Sequence, residues 1–378
     1  MRKIYYIVNF RLPTEKAHGY QIAKMCEAFS DLNIDINLIY PNRKSEINED
    51  FFTYYGVKRS YNINKISFFD FFKLSFLPQK ISFYLNALEF VLKAIFLKIP
   101  KGSIVYTRNP EIAWSFSMRG YFTFFEAHQL SEKSRIFYRC IKSCNGIAVT
   151  THAMKEDLLL KIKNFPEKKV IICPNGIDPS IFLNKSLTRQ MARQELNIDQ
   201  NIKIVLYTGH LYDWKGADTL ALAGNKLPDK IHTYFIGGSD KDRLSYANKY
   251  KSENIHFIPF VPRSKVALWL KAADIVVIPN KPINSLSERH TSPIKMFEYM
   301  ASGTPIIASK LPSIQEILNN KTCSFFTPGD EENLKNTIIE LLDDTIKRET
   351  LANKAQSEVS LYTWSARAKK ISDYLLTL

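Results

Sequence analysis

The chain has 378 residues, 45% of them hydrophobic and 24% charged, with a formal net charge of +15. That length suits two domains better than one core, and the apolar, aromatic-rich composition excludes a disordered chain. Five cysteines (Cys26, Cys140, Cys144, Cys173 and Cys323) without C-x-x-C spacing argue against a disulfide framework and a zinc site, while the positive charge asks for an anionic partner without naming it.

Met1-Arg2-Lys3 leads directly into "IYYIVNF", with no long apolar stretch and no small-residue cleavage site, so a cytoplasmic protein is expected. "KIYYIVNF" reads as a strand. "HGYQIAKMCEAFSDLN" spaces apolar residues at Ile22, Met25, Cys26, Phe29 and Leu32, one buried face of a helix, and "DINLIY" is again a strand. Strand, helix, strand opens a parallel sheet with covering helices. Further strands are predicted in "SIVYT", "YFTFFEAH", "GIAVTT" and "KVIICPNG"; Cys140 and Cys144, four apart in a helical pattern, read as buried thiols.

After "PNGIDPSIF" the pattern turns polar and helical, and fresh strands begin at "IKIVLYTGH". This places a boundary near residue 185. The predicted domains are 1–185, 186–360 and a terminal amphipathic segment 361–378. The second half alternates strand and helix through "HTYFIGG", "NIHFIPFV", "VALWLKAA", "DIVVIPN", "IKMFEYMASG" and "TPIIAS", then a helix from about Asn333 to Leu342. The fold class is α/β. Two doubly wound sheets in series imply a ligand cleft beyond the carboxyl ends of their strands, across which the terminal segment can pack back.

Two stretches carry chemistry. In "HTSPIKMFEYMASG", Pro293 suits the first turn of a helix, with Ser292 or Thr291 as cap and Gly303 closing it. First-turn amides at the positive end of such a helix suit phosphate oxygens, and Glu298 further along can accept hydrogen bonds from vicinal hydroxyls. In "YTGHLYDWKGAD", Gly209 permits close backbone approach, and His210 and Lys215 can reach one anion, although a lysine such as Lys215 read alone is more often a solvated surface residue.

"GHLYDWKG", followed by "SPIKMFEYMASGTPIIAS" and preceded by "PNGID" and the opening "LPTEKAHGYQIAKMCEAFSDLNIDINLIY", resembles the family 4, or group 1, nucleotide-sugar-dependent glycosyltransferases, including members that build bacterial surface polysaccharides. The resemblance implies the GT-B fold, two facing Rossmann-like domains with the donor held mainly by the second and the acceptor by the first. It implies that Lys215 pairs with the donor diphosphate, that amides near Ser292 to Lys295, around Pro293 and Ile294, cradle it, that Glu298 holds the ribose, and that Val261 meets the base through its backbone. It also sets His128 of "FEAHQ" beside the transferred sugar and Gly19 in a flexible glycine loop over the phosphates. Gly237 and Gly238 either admit the donor or form a tight turn. Two positions depart from the family pattern: His210 stands where many members have Arg, and His290 where they have the first Glu of the E-x7-E pair. Arg108 in "YTRNP" is open to two readings, a contact to phosphate or acceptor carboxylate and a loop-anchoring ion pair.

The function implied is a retaining transfer of a sugar from a nucleoside diphosphate donor to a hydroxyl of a glycan or lipid-linked glycan, with His128, Lys215 and Glu298 carrying the chemistry. With Lys215, His210 and the helix amides to meet the charge of the leaving diphosphate, no cofactor and no obligatory metal are expected. The alternatives are a nucleotide-sugar epimerase on the same architecture and an inactive nucleotide-sugar-binding partner. Nucleic acid is not expected as a partner, since no nucleic-acid-binding motif is found.

Between residues 51 and 150, fourteen basic residues face five acidic ones. Within that window, "SFFDFFKLSFLPQKISFYLNALEFVLKAIFLKIPK" crowds Phe and Leu beside Lys73, Lys80, Lys93, Lys98 and Lys101, and Asp70, Glu89 and the lysines interrupt every apolar run too soon for a membrane span. One reading makes Leu85, Leu88, Val91, Leu92, Ile95 and Phe96 the core face of a helix. The other rests Phe68, Phe69, Phe71, Phe72, Phe76 and the lysines on an anionic membrane leaflet.

Overall fold

The computed structural model describes residues 3–45, 47–67, 69, 71–74, 76–182 and 187–378. The chain divides into two compact units, the first made of Met1–Pro174 with Trp364–Leu378, the second of Asn175–Thr363.

The first unit is a seven-stranded sheet of β1 (Ile4–Ile7), β2 (Ile36–Pro41), β3 (Asn62–Ile66), β4 (Ile104–Thr107), β5 (Phe122–Glu126), β6 (Gly146–Val149) and β7 (Val170–Ile172), in the order β3-β2-β1-β4-β5-β6-β7. Every pairing is parallel. The central strands are apolar runs buried on both faces, as a sheet covered by helices on both sides requires. Tyr5, Ile7 and Val105 pack with Phe90, Ile112 and Phe116, while Ile22, Met25, Cys26 and Phe29 are buried along helix Ala17–Asp31 as their spacing predicts. Edge strand β3, sequence NINKI, has no apolar period and gave no sequence signal.

The second unit is a six-stranded parallel sheet of β8 (Lys203–Thr208), β9 (Ile231–Ile236), β10 (Ile255–Ile258), β11 (Ile275–Ile278), β12 (Ile306–Ser309) and β13 (Ser324–Phe326), in the order β10-β9-β8-β11-β12-β13. In both sheets the strand order reverses beside the first strand of the unit, the doubly wound pattern of a Rossmann-like domain. The α/β fold class expected from sequence is therefore observed.

The domain boundary and the core face of one helix differ from expectation. The units divide between Pro174 and Asn175, not near 185, and residues 183–186 lie outside the described residues. The reason is local: Asn175 makes two hydrogen bonds to Ser292, and Ile177 donates its N–H to Tyr362 and sits in the core of the second unit. The terminal helix, Trp364–Thr377, belongs to the first unit, where it packs on helix Ala17–Asp31 and sets Trp364 against Tyr20. Helix Gln79–Ile95 buries Ser82, Asn86, Phe90 and Ala94; Leu88, Leu92 and Phe96, expected in the core, are exposed. Phe71 donates its N–H to the Asn86 carboxamide at 2.9 Å, which fixes that rotation of the helix. Phe68 and Asp70 lie outside the described residues. All five cysteines are free and buried.

Candidate functional site

In the second unit the site begins where β8 ends. Gly209 follows Thr208 with φ +126°, a conformation that side chains rarely adopt. Gly237, just after β9, has φ +108°, and a Cβ there would stand 2.9 Å from the Gly209 carbonyl oxygen. The two strand ends thus pack backbone against backbone, the tight-turn alternative for Gly237. His210 stacks on Tyr212, ring centres 5.0 Å apart, and its carbonyl accepts the Tyr207 hydroxyl at 2.6 Å.

Lys215 closes the short 3₁₀ turn Asp213–Lys215. Lys281 holds that turn, its ammonium donating to Asp213 at 2.6 Å and Asp218 at 2.7 Å and its N–H to the Trp214 carbonyl at 2.9 Å. Gly216 (φ +67°) lies so close that a Cβ would meet the Pro279 carbonyl oxygen at 1.7 Å. Lys215 is consequently on a rigid turn and partly buried, not a solvated surface lysine. Burial brings its pKa down to about 8, against the opposing pull of Glu298.

Helix Ile294–Ser302 starts one residue later than expected. Pro293 is its N-cap, with extended ψ of 128°, and among the described residues no side chain caps the helix. Ser292 and Thr291 do not cap it; the Ser292 hydroxyl accepts the Asn175 N–H at 3.0 Å and its carbonyl accepts the Asn175 amide at 2.5 Å. "PNGID" therefore acts as a tether to this helix start, more than a bare turn. A single π-helical turn, Leu286–His290, precedes it and leaves His290 buried.

On this helix Glu298 is buried and pairs with Arg263, at the start of helix Arg263–Ala272. Val261, two residues before Arg263, packs its side chain on the core of the unit. Lys295 is 7% exposed, its Nζ 3.6 Å from the centre of the Tyr207 ring, and that nitrogen has no hydrogen-bond partner among the described residues. A Cβ at Gly209 would stand 3.5 Å from it. Burial, then the nearby Lys215 charge, pushes the Lys295 ammonium well below the ordinary lysine range, with Glu298 opposing. Lys215, Lys295 and Glu298 are thus close enough to act on one another's charge. The side chain of Asn280, just after β11, is likewise buried with both polar atoms unpartnered among the described residues.

In the first unit, a carboxylate organises the residues singled out from sequence. Glu126, the last residue of β5, is buried; its Oε2 accepts the hydroxyls of Tyr106 at 2.6 Å and Tyr6 at 3.1 Å. Its Oε1 accepts Arg367 at 2.7 Å and Arg108 at 3.2 Å and lies 2.8 Å from His128 Nε2. Burial alone would raise the Glu126 carboxyl, but Arg108, Arg367 and His128 hold it well below the usual range. Arg108 is therefore an ion-pair partner of Glu126, the second of its two readings. Burial, then the Arg108 charge, lowers His128 to about 4, so its imidazole is neutral at pH 7. The Gln21 side-chain nitrogen lies 3.2 Å from the same His128 Nε2.

Gly19 is not in a flexible loop. It lies in the first turn of helix Ala17–Asp31, and a Cβ there would stand 2.1 Å from the Tyr55 hydroxyl, which bonds both the N–H and the carbonyl of Thr14. The glycine serves a close packing contact. Sequence reasoning passed over Glu126, Arg263 and Arg367. For Glu126 a signal was present: a carboxylate ending the apolar run "YFTFF" has to be met by buried cations.

The resemblance read from the motifs is borne out in the second unit, where residues 188–358 match the family of glycosyl transferases group 1. An uncharacterized glycosyltransferase of Methanocaldococcus jannaschii is 27% identical over 240 residues, 61% of this chain and 59% of that protein. The chain thus spans a little over half the length of the curated relatives it matches. Among solved structures, sucrose-phosphate synthase from Thermosynechococcus elongatus superposes with a TM-score of 0.76 at 19% identity, covering 100% of this chain and 99% of that one. HepE of Anabaena, solved in complex with UDP, gives 0.75 at 15% identity, covering 100% of both chains. These likenesses establish the fold, the two Rossmann-like domains of the GT-B class.

Proposed function

We propose that the protein is a glycosyltransferase that moves a sugar from a nucleoside diphosphate donor to a hydroxyl of a glycan or lipid-linked glycan, with retention at the anomeric carbon, in the building of bacterial surface polysaccharide, lipopolysaccharide or capsule. The observation that carries the reading is Lys295: a buried amine with no acceptor among the described residues, beside Lys215 and under the Gly209 turn, is costly unless an anion comes to it. A diphosphate is an anion suited to two lysines and the uncapped amides of helix Ile294–Ser302. The complex of HepE with UDP supports the same ligand class.

In this reading Lys215, Lys295, His210 and the helix amides take the charge that develops on the departing diphosphate, and the chemistry assigned to these residues needs no metal ion. Glu298, oriented by Arg263, accepts the ribose hydroxyls, and the Val261 main chain meets the base. His128 is neutral and offers a hydrogen bond to the sugar rather than a nucleophile. The first Glu of the usual pair is absent; His290 stands in its place.

The test is a panel of nucleotide sugars screened for protection from thermal unfolding, since a donor at 100 times its Kd stabilises by about 2.7 kcal/mol. Protection by one donor, followed by transfer to an added acceptor, is expected. Sugar conversion without an acceptor indicates an epimerase, and binding without turnover indicates an inactive partner. A folded protein protected by no nucleotide sugar and no nucleoside diphosphate overturns the reading.

A further inference from the structure

At the carboxyl end of the first sheet the chain gathers hydrogen-bond donors. Asn9, Arg43, Asn109 and His128 are each the second residue past a strand, after β1, β2, β4 and β5, which are neighbours in the sheet. Between β1 and β4 the strand order reverses, and beyond such a switch point the loops part to leave a crevice for a ligand. The loops on either side are tied together. The Arg43 guanidinium donates to Asn9 Oδ1 at 2.7 Å, the Asn9 N–H to Asn109 Oδ1 at 2.9 Å, and the Asn109 N–H to the Thr107 hydroxyl at 3.0 Å. Both carboxamide oxygens are used in this way, leaving each NH2 group to donate.

Charge defines what the crevice takes. Glu126 is the one carboxylate with which Arg108 and Arg367 pair among the described residues, and their side chains are only 6% and 3% exposed. Two cations on one anion leave a positive charge in excess. The pair with Glu126 does not exhaust them either: Arg108 Nε and Arg367 Nη1 are buried with no hydrogen-bond partner among the described residues. An uncompensated buried charge is costly, so the arrangement suits a ligand that brings its own anion. Burial, then the Arg108 charge, lowers His18 to about 4, so this ring near Arg108 and His128 is neutral; it packs on Phe10 with ring centres 4.4 Å apart. Guanidinium and amide N–H groups match carboxylate and phosphate oxygens, whereas the hydroxyls of a neutral sugar would leave the excess charge unmet.

We propose that the acceptor carries an acidic group, a carboxylate or a phosphate, bound at the switch point of the first unit by Arg43, Asn9, Asn109 and Arg108. The inference rests on the glycosyltransferase reading and narrows its acceptor to acidic glycans and sugar phosphates. The full chain is titrated calorimetrically, with and without saturating UDP, against methyl glycosides of glucuronic and galacturonic acid, the 1-phosphates of glucose and galactose, and the neutral methyl glycosides of both hexoses. At least one acidic saccharide should bind about tenfold or more tightly than its neutral counterpart, with an advantage that shrinks as salt rises. Preference for the uronates identifies a carboxylate, and preference for the 1-phosphates a phosphate. Arg43→Gln should lower that affinity by about tenfold or more while the melting temperature and the affinity for UDP stay unchanged. Neutral saccharides bound as tightly as acidic ones overturn the proposal, as does binding of no acidic saccharide in either condition. An Arg43→Gln chain that loses UDP affinity to the same extent also overturns it, because the charge then serves the donor diphosphate. Binding of an acidic saccharide by a chain that ignores UDP upholds the anion site and refutes the donor reading, so the two failures are told apart.

Discussion

Arg367 donates to Glu126 across 241 residues of sequence, at 2.7 Å, while its Nε donates to the carbonyl of Pro174 at 2.9 Å. One side chain thereby joins the terminal helix to the carboxylate beside His128 and to the residue at which the chain leaves the first unit. Removing Glu126 strands two buried guanidinium groups, whereas removing Arg367 leaves the Glu126–Arg108 pair intact. Glu126→Gln should therefore cost about 3–5 kcal/mol, and Arg367→Leu distinctly less. Urea titration followed by the fluorescence of buried Trp364 measures both, and the reverse ranking would refute the assignment of Glu126 as the centre of the cluster.

Lys295→Met should separate stability from binding. With the unpartnered amine replaced by an apolar chain of similar length, the free protein should gain about 1–3 kcal/mol. Protection by a nucleoside diphosphate such as UDP should disappear in the same variant. A less stable variant that still binds UDP would show that Lys295 is a structural residue.

Lys215→Ala should lower turnover about 10²-fold or more, the usual effect of removing one donor from a developing oxyanion. Its position on a braced turn makes this a loss of charge and not of fold. Normal turnover in a folded variant would exclude Lys215 from the chemistry.

Binding should also take up protons. Lys215 loses its charge as pH rises through about 8, and Lys295 is lowered well below the ordinary lysine value. A diphosphate favours the charged form of each, so proton uptake accompanies binding and affinity falls as pH climbs past about 8. Titration calorimetry in buffers of different ionisation enthalpy reads the uptake directly. Proton release, or affinity that rises with pH, is the contrary result.

Glu298→Ala should weaken UDP and the intact donor alike, by about 1.5–3 kcal/mol, the range for hydrogen bonds to a charged group. A variant that binds UDP normally but loses the donor would move Glu298 from the ribose to the sugar.

The sheets and their order of elements were legible because they rest on short-range signals, apolar runs, a glycine after β8 and a proline before helix Ile294–Ser302, whereas Lys215 was singled out by its resemblance to a family motif and by no signal of its own. What escaped depends on distant partners. "FEAHQ" contains Glu126, but its cations lie 18 and 241 residues away, and nothing local announces them. The family resemblance put Gly19 in a glycine loop; its actual contact, Tyr55, lies on another helix and leaves no local trace. Helix Gln79–Ile95 misled for the opposite reason: its periodicity was real, yet periodicity identifies an apolar face without saying what that face meets.

The division of the first unit between Met1–Pro174 and Trp364–Leu378 bears on the order of synthesis. A ribosome completes every residue of the second unit before it reaches Trp364, so the unit that begins first is finished last. Until then helix Ala17–Asp31 has no Trp364, Ala368 or Ile371 side of the terminal helix to cover it, and Glu126 waits for Arg367. The second unit, contiguous in sequence, can mature on the emerging chain, whereas closure of the first has to follow translation of its final helix. A nascent chain arrested before Trp364 should accordingly be cut by protease in its first unit and spared in its second.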